Sequence, residues 1–75
     1  MTAADRIETD PAVMMGKPVI RGTRITVEVI LRLLGREHSI PDLIDAYPGL
    51  TEEDIHAAQA YAADFIAGHR IVAAD

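Results

Sequence analysis

The stretch SIPDLIDAYPGLTEEDIHAAQAYA, residues 39–62, contains the start signals of two consecutive helices. Ser39 is followed three residues later by Asp42, and Thr51 is followed at the same distance by Asp54. A hydroxyl at the N-cap and a carboxylate at the third helical position form a capping box, because each side chain accepts a hydrogen bond from the other residue's backbone N–H. A Pro-Gly pair between the two patterns ends the first helix. The stretch therefore predicts a short helix, a tight turn and a long helix.

A further helix is predicted ahead of this stretch, with Thr26 as its N-cap. Ile25 and Ile30 lie at the two positions of a hydrophobic staple around that cap. Gly35 marks the end of this helix, and Gly68 marks the end of the long helix in the same way. Apolar residues repeat at helical spacing along all three helices. The predicted core comprises Val27, Ile30, Leu31 and Leu34, then Ile40, Leu43, Ile44 and Tyr47, and then Ile55, Ala58, Ala62, Phe65 and Ile66.

The N-terminal part has a different pattern, in which short apolar runs are broken by proline and glycine. Residues 7–9, 13–15 and 18–20 are predicted as short strands, and the prolines confine them to sheet edges. Residues 21–23, Arg-Gly-Thr, are predicted as a turn, since glycine adopts positive φ without strain. Strands this short leave open edges in one chain, so we expect a homodimer in which the strands of two subunits pair.

These elements predict a mainly α protein: a three-helix, helix-turn-helix-like (homeodomain-like) bundle with a short N-terminal β-arm. All of it forms one domain, because 75 residues are too few for two hydrophobic cores. Within that domain we expect the β-arm and turn at residues 1–25, the three-helix unit at residues 26–68 and a C-terminal tail at residues 69–75.

Composition and charge limit the classes of protein to which the chain can belong. It has no cysteine, no signal-peptide pattern at its start and no apolar run of membrane-spanning length, so we expect a cytoplasmic protein. The net charge of −5 is unevenly distributed. Residues 16–36 contain five bases and one acid, a net +4, whereas residues 37–75 contain eight acids and one base, a net −7. The chain is therefore basic in its first half and acidic in its second.

Two phrases of the sequence resemble a known family. They are GKPVIRGTRITV at residues 16–27 and YPGLTEEDI at residues 47–55, and the similarity extends over about residues 7–64. Both resemble recurrent phrases of the small bacterial family called domain of unknown function 433. One departure is Glu37, which stands where the family often has a glycine, so the turn between the first two helices can close differently.

The resemblance implies a helix-turn-helix-like fold preceded by a β-arm. It also implies the role of an antitoxin, which neutralises a PIN-like toxin ribonuclease and binds operator DNA for autoregulation. A stand-alone dimeric DNA-binding transcriptional regulator without a toxin partner is the alternative. A PIN-like gene beside this one would distinguish the two.

The bases of residues 16–36 are the candidate nucleic-acid contacts, namely Lys17, Arg21, Arg24, Arg32 and Arg36. They can neutralise DNA phosphates or bind an acidic protein surface. Alternatively, the bases of the arm neutralise the acidic third helix within the fold or across a dimer, and Arg32 pairs with Glu28 one turn earlier. The acidic first turn of the third helix would be repelled by phosphates in the major groove. Any DNA contact is therefore expected through the arm and the first helix, in a dimer.

The acidic residues of the second half are the candidate partner contacts, namely Glu52, Glu53, Asp54, Asp64 and the tail residue Asp75. Carboxylates on a helix can mask the basic surface of a ribonuclease. The three in the first turn are equally explained by the positive end of the helix dipole. Off the predicted core lies a small-residue flank, suited to a second subunit or to the protein's own arm, made of Ala57, Ala60, Tyr61 and Ala63.

No catalytic or metal-binding pattern is present in the sequence. His38, His56 and His69 lack metal-ligand spacing, and Ser39 does not lie in a nucleophile elbow. The segment around Lys17 lacks the spacing of a phosphate-binding P-loop. We therefore expect a binding protein and not an enzyme, with no metal and no cofactor.

Overall fold

The structure, a computed structural model, describes residues 3–68 as a small sheet followed by three helices. The elements in chain order are a helical turn α1 (Ala3–Arg6), β1 (Ile7–Glu8), β2 (Val19–Ile20), α2 (Val27–Gly35), α3 (Ile40–Ala46) and α4 (Glu52–Gly68). The predicted fold class is confirmed, since helices predominate and the short sheet precedes them. The turn α1 has no counterpart in the sequence prediction. The predicted tail at residues 69–75, with His69 and Asp75, lies outside the described residues.

The two strands of the arm pair with each other in one chain. β1 and β2 are antiparallel, with Ile7 opposite Ile20 and Glu8 opposite Val19. A further bridge joins Val19 to Thr26, at the start of α2. Ile7, Val19 and Ile20 are all buried, so this small sheet contributes to the core. A homodimer therefore does not need to form by pairing of strands between subunits.

The predicted strand at residues 13–15 is wrong. Met14, Met15 and Gly16 form a tight turn instead, with successive φ angles of +49°, +60° and +82°. Its backbone is closed by Gly16 N–H and Lys17 N–H, which donate to the carbonyls of residues 13 and 14 at 3.0 and 3.1 Å. Met15 is 91% exposed, so the apolar composition that suggested a strand belongs to a surface turn.

Helices α2, α3 and α4 all begin at their predicted caps. Thr26 Oγ1 accepts a backbone N–H from the first turn of α2 at 3.0 Å. In α3, Ser39 N–H donates to Asp42 Oδ2 at 3.0 Å, and Asp42 N–H donates to Ser39 Oγ at 3.2 Å. The same reciprocal pair joins Thr51 and Asp54 at the start of α4, at 3.1 Å in both directions. The backbone N–H of Ser39, followed by its hydroxyl, holds the pKa of Asp42 below its usual value.

The end of α2 is a Schellman motif with an unusual residue at its centre. Glu37 N–H donates to the carbonyl of Leu34 at 3.0 Å, and His38 N–H donates to that of Leu33 at 3.1 Å. Glu37 has φ of +70°, a left-handed conformation that glycine usually provides. Gly35, the expected marker of the helix end, is instead the last helical residue. Glu37, which stands where the related sequences often have glycine, thus occupies the most constrained position of this turn.

The core lies between the small sheet and the three helices. Ile30 of α2, Leu43 of α3 and Ile55 of α4 are at most 1% exposed, and these three residues confirm the predicted inward faces. Leu50 is also buried in this core, and Leu50 and Ile55 lie at the two positions of a hydrophobic staple around the Thr51 cap.

Three predicted core positions are wrong: Ile44 of α3 is 37% exposed, and Phe65 and Ile66 of α4 are 55% and 67% exposed. Phe65 and Ile66 continue the inward face of α4, but the helix extends past the body of the protein, and its buried residues all lie before residue 59. Ala57 is the opposite case: it was predicted outside the core and is buried at 3% exposure. The arm explains this difference, since α1 and β1 pack against α4 in addition to the other helices.

Candidate functional site

Two of the five candidate cations share one carboxylate. Lys17 Nζ lies 3.1 Å from Glu28 Oε1, and Arg32 Nη2 lies 2.8 Å from Glu28 Oε2. The Lys17 ammonium, followed by the Arg32 guanidinium, holds the pKa of Glu28 below its usual value. All three side chains are about half exposed. This Glu28 cluster joins the arm to α2 and has a net charge of +1.

A third cation, Arg21, is used to hold the arm together. Its Nε donates to the backbone carbonyl of Asp5 at 2.6 Å, and its Nη1 lies 3.3 Å from Glu8 Oε1. Arg24 and Arg36 differ, because their exposed side chains make no ion pair with any residue from 3 to 68. Within residues 3–68, three of the five candidate cations are therefore in ion pairs and two are not.

Three of the four candidate acidic contacts in the described residues lie at the surface of α4. Glu52, Glu53 and Asp64 are exposed, and α4 contains no lysine or arginine. Glu52 Oε2 lies 3.4 Å from Nε2 of His56, one turn along the helix. The negative charge of α4 is therefore not compensated by bases of the same helix.

Asp54, the fourth candidate, has two structural roles: the capping of α4, which the sequence predicted, and an ion pair with Arg6, which it did not. It is 7% exposed, and Oδ2 accepts the Thr51 N–H while Oδ1 accepts Arg6 Nη1 at 3.0 Å. Both carboxylate oxygens are thus used inside the fold, so Asp54 does not belong to the exposed acidic surface. The sequence does contain a signal for the ion pair, because a carboxylate on the inward face of α4 needs a cation beside it when it is buried. The sequence does not indicate that Arg6, 48 residues earlier, supplies it.

An apolar groove lies between the arm, α2 and the last two turns of α4. It has a volume of about 510 Å³, with Pro18 of the arm, Leu31 of α2, and Tyr61, Phe65 and Ile66 of α4 among its lining residues. The rings of Tyr61 and Phe65 are stacked with their centroids 6.4 Å apart. Because Phe65 and Ile66 were predicted in the core, the groove was not expected from the sequence. It is formed where the apolar face of α4 continues past the core.

Other kinds of site find no support in the described residues. Across residues 3–68 no group of three His, Asp, Glu or Cys side chains is arranged to hold a metal ion. His38 and His56 are exposed, and His69 lies outside the described range. No helix in the described part of the chain has the length and apolarity needed to cross a membrane.

Comparison with known proteins identifies relatives of this fold. The family described as "Protein of unknown function (DUF433)" matches residues 7–62. The uncharacterized protein y4eO of Sinorhizobium fredii is 34% identical over 74 residues, which are 97% of this chain and 34% of the relative. A crystal structure of a DUF433 member from Anabaena variabilis is similar with a TM-score of 0.76 and 36% identity, covering 79% of this chain and 58% of that chain. The present chain thus spans about a third of y4eO, and it belongs to the DUF433 family.

Proposed function

We propose that this chain is an antitoxin-type binding protein that neutralises a PIN-like toxin ribonuclease by covering its basic surface with α4. The observation that carries the proposal is the exposed carboxylates of α4, a helix without lysine or arginine. The phrases at residues 16–27 and 47–55 support the same role, since they resemble a family with a presumed antitoxin function.

The geometry of α4 suits a basic partner. Glu53 and Asp64 are separated by about three helical turns, so they lie on the same side of α4 and about 16 Å apart along its axis. A ribonuclease attracts RNA phosphates with positive potential, and a row of carboxylates complements such a surface. Charge complementarity of this kind accelerates association and makes it sensitive to salt.

The experiment is co-expression with a PIN-like ribonuclease, taken from beside this gene if one is encoded there, followed by measurement of binding and of RNA cleavage. We expect a complex in which cleavage is inhibited. In the variant Glu53→Lys/Asp64→Lys, the dissociation constant should rise by at least about tenfold, because two favourable contacts become repulsive.

The matched control is Glu37→Lys/Asp45→Lys, which changes the net charge by the same amount on exposed residues outside α4. Its dissociation constant should change by less than about threefold, since only the long-range field is altered. The proposal fails if the two proteins do not associate. It also fails if both double variants weaken the complex equally, because α4 would then have no special part in it.

A stand-alone DNA-binding regulator is the second candidate, and Arg24 and Arg36 favour it. Both are exposed and make no ion pair within residues 3–68. A gel-shift assay with the chain's own upstream DNA at two salt concentrations tests this function. Arg24→Ala/Arg36→Ala should weaken binding and reduce its salt dependence, whereas Glu52→Ala should not weaken it. Binding that is unchanged in the arginine variant would exclude this mode of contact.

A further inference from the structure

We propose that the apolar groove is a homodimer interface, in which the last two turns of α4 from each subunit dock into the groove of the other. This inference goes beyond the proposed function and does not depend on it. It rests on the shape of the groove, on the position of its exposed apolar residues and on the charges of its two walls.

The groove is built to receive a helix. Its two sides are helices α2 and α4, its floor is the arm, and its lining is mainly apolar. Grooves of this type bind the apolar face of an amphipathic helix through residues about one turn apart. The occupant should therefore present large apolar side chains at that spacing.

The protein itself contains such a segment. Residues 61–68, here called the overhang, follow the last buried residue of α4, Ala58. In the overhang Phe65 and Ile66 are 55% and 67% exposed, although both lie on the inward-facing side of the helix. The overhang thus forms one wall of the groove and also has the apolar side chains that a groove of this kind accepts.

A two-fold axis satisfies this arrangement, because each surface then contacts its own copy. In such an interface the residues of one subunit that form the wall are those that enter the partner. One pair of contacts therefore covers Phe65 and Ile66 in both subunits.

The charges of the two walls select a second copy as the occupant. Glu28 of α2 lines the groove, and its partners Lys17 of the arm and Arg32 of α2, which lie beside the lining residues Pro18 and Leu31 in the chain, leave the Glu28 cluster a net +1. The overhang contains Asp64 and no base. A two-fold axis places the α2 wall of one subunit against the overhang of the other, so positive and negative surfaces meet.

The test is sedimentation velocity of the purified chain alone, without any partner protein, from about 1 µM to 1 mM, which covers weak dimers. We expect a reversible dimer. Phe65→Glu should raise the dimer dissociation constant by about a hundredfold, because an aromatic contact is lost on both sides of the two-fold axis. If that variant does not fold, as judged by circular dichroism, Ile66→Glu replaces it.

The matched control is Ile44→Glu, an apolar residue on α3 that is 37% exposed and does not line the groove. Its dimer constant should stay within about threefold of the original, as expected for a site outside the interface. A monomer at every concentration overturns the inference, as does a dimer that Phe65→Glu leaves intact or that Ile44→Glu weakens equally. A monomer that loses ribonuclease binding on Phe65→Glu also overturns it, and assigns the groove to the partner.

Discussion

Replacing Glu37 with glycine should stabilise this protein. Glu37 occupies the left-handed position of the turn after α2, with φ of +70°. Its backbone N–H and that of His38 close the turn on Leu34 and Leu33, so the conformation is required by the end of the helix. No described side chain forms a hydrogen bond or ion pair with the carboxylate of Glu37. The substitution Glu37→Gly therefore removes backbone strain without removing such a contact.

The magnitude follows from two opposing terms. A residue with a Cβ atom loses about 1–2 kcal/mol in the left-handed conformation, and glycine avoids this loss. Glycine also makes the unfolded chain more flexible, which costs about 0.4–1 kcal/mol. The free energy of unfolding should therefore rise by about 0.5–1 kcal/mol. For 75 residues, with an unfolding entropy of about 2.1 cal/mol/K per residue, this gain raises the melting temperature by about 3–6 °C.

Urea and thermal unfolding, followed by circular dichroism, measure the change. Glu37→Ala is the control, because it removes the same carboxylate from the negative end of the α2 dipole but keeps the Cβ atom. Only glycine should produce the full gain. If Glu37→Ala stabilises the protein as much as Glu37→Gly, charge and not backbone strain explains the effect. If Glu37→Gly lowers the stability, the strain assigned to this turn is wrong.

Three further predictions concern neighbouring features. Gly35→Ala should raise the free energy of unfolding by about 0.5 kcal/mol in urea titrations, since Gly35 is helical and an added Cβ would meet no atom within 4 Å; a loss of stability would mean that glycine is needed there. Arg6→Met should lower the free energy of unfolding by about 2 kcal/mol, because it leaves the carboxylate of Asp54 buried without its cation. Lys17→Met, at an exposed ion pair, should lower it much less, and equal losses in the two variants would contradict this ranking. The folded pKa of Asp42 lies below its unfolded value, so its contribution to stability is present above an unfolded pKa of about 3.9 and disappears as the pH falls through the folded value. Asp42→Asn should therefore reduce the loss of stability below about pH 4, as measured by urea titrations at a series of pH values. If the variant loses as much stability in acid as the original protein, Asp42 does not contribute to the pH dependence.

Features that depend on neighbouring residues were predictable from the sequence. The caps Thr26, Ser39 and Thr51 act within one helical turn, so their spacing alone indicates the hydrogen bonds that the structure contains. The turn around Gly22 is another example, since its φ of +79° needs only the residue type. These local signals place the three helices and therefore predict the fold.

Features that depend on distant residues were not predictable. Periodicity shows which side of α4 faces inward but not where the core ends, so Phe65 and Ile66 were assigned to the core and the groove was missed. The pairing of Lys17 with Glu28 and of Arg6 with Asp54 requires the arm to fold back on the helices. Before that folding is known, the bases of the arm cannot be divided into paired and unpaired groups.

The ion pair between Arg6 and Asp54 has a consequence for the order of events during synthesis. Arg6 is synthesised 48 residues before the carboxylate that pairs with it. At about 5–20 residues per second, translation needs several seconds to produce that partner. Helix α2 can cap itself and β1 can pair with β2 in the meantime, whereas the guanidinium of Arg6 waits for α4. The ion pair between Arg6 and Asp54 is therefore a late contact, since it can form only after α4 has been synthesised.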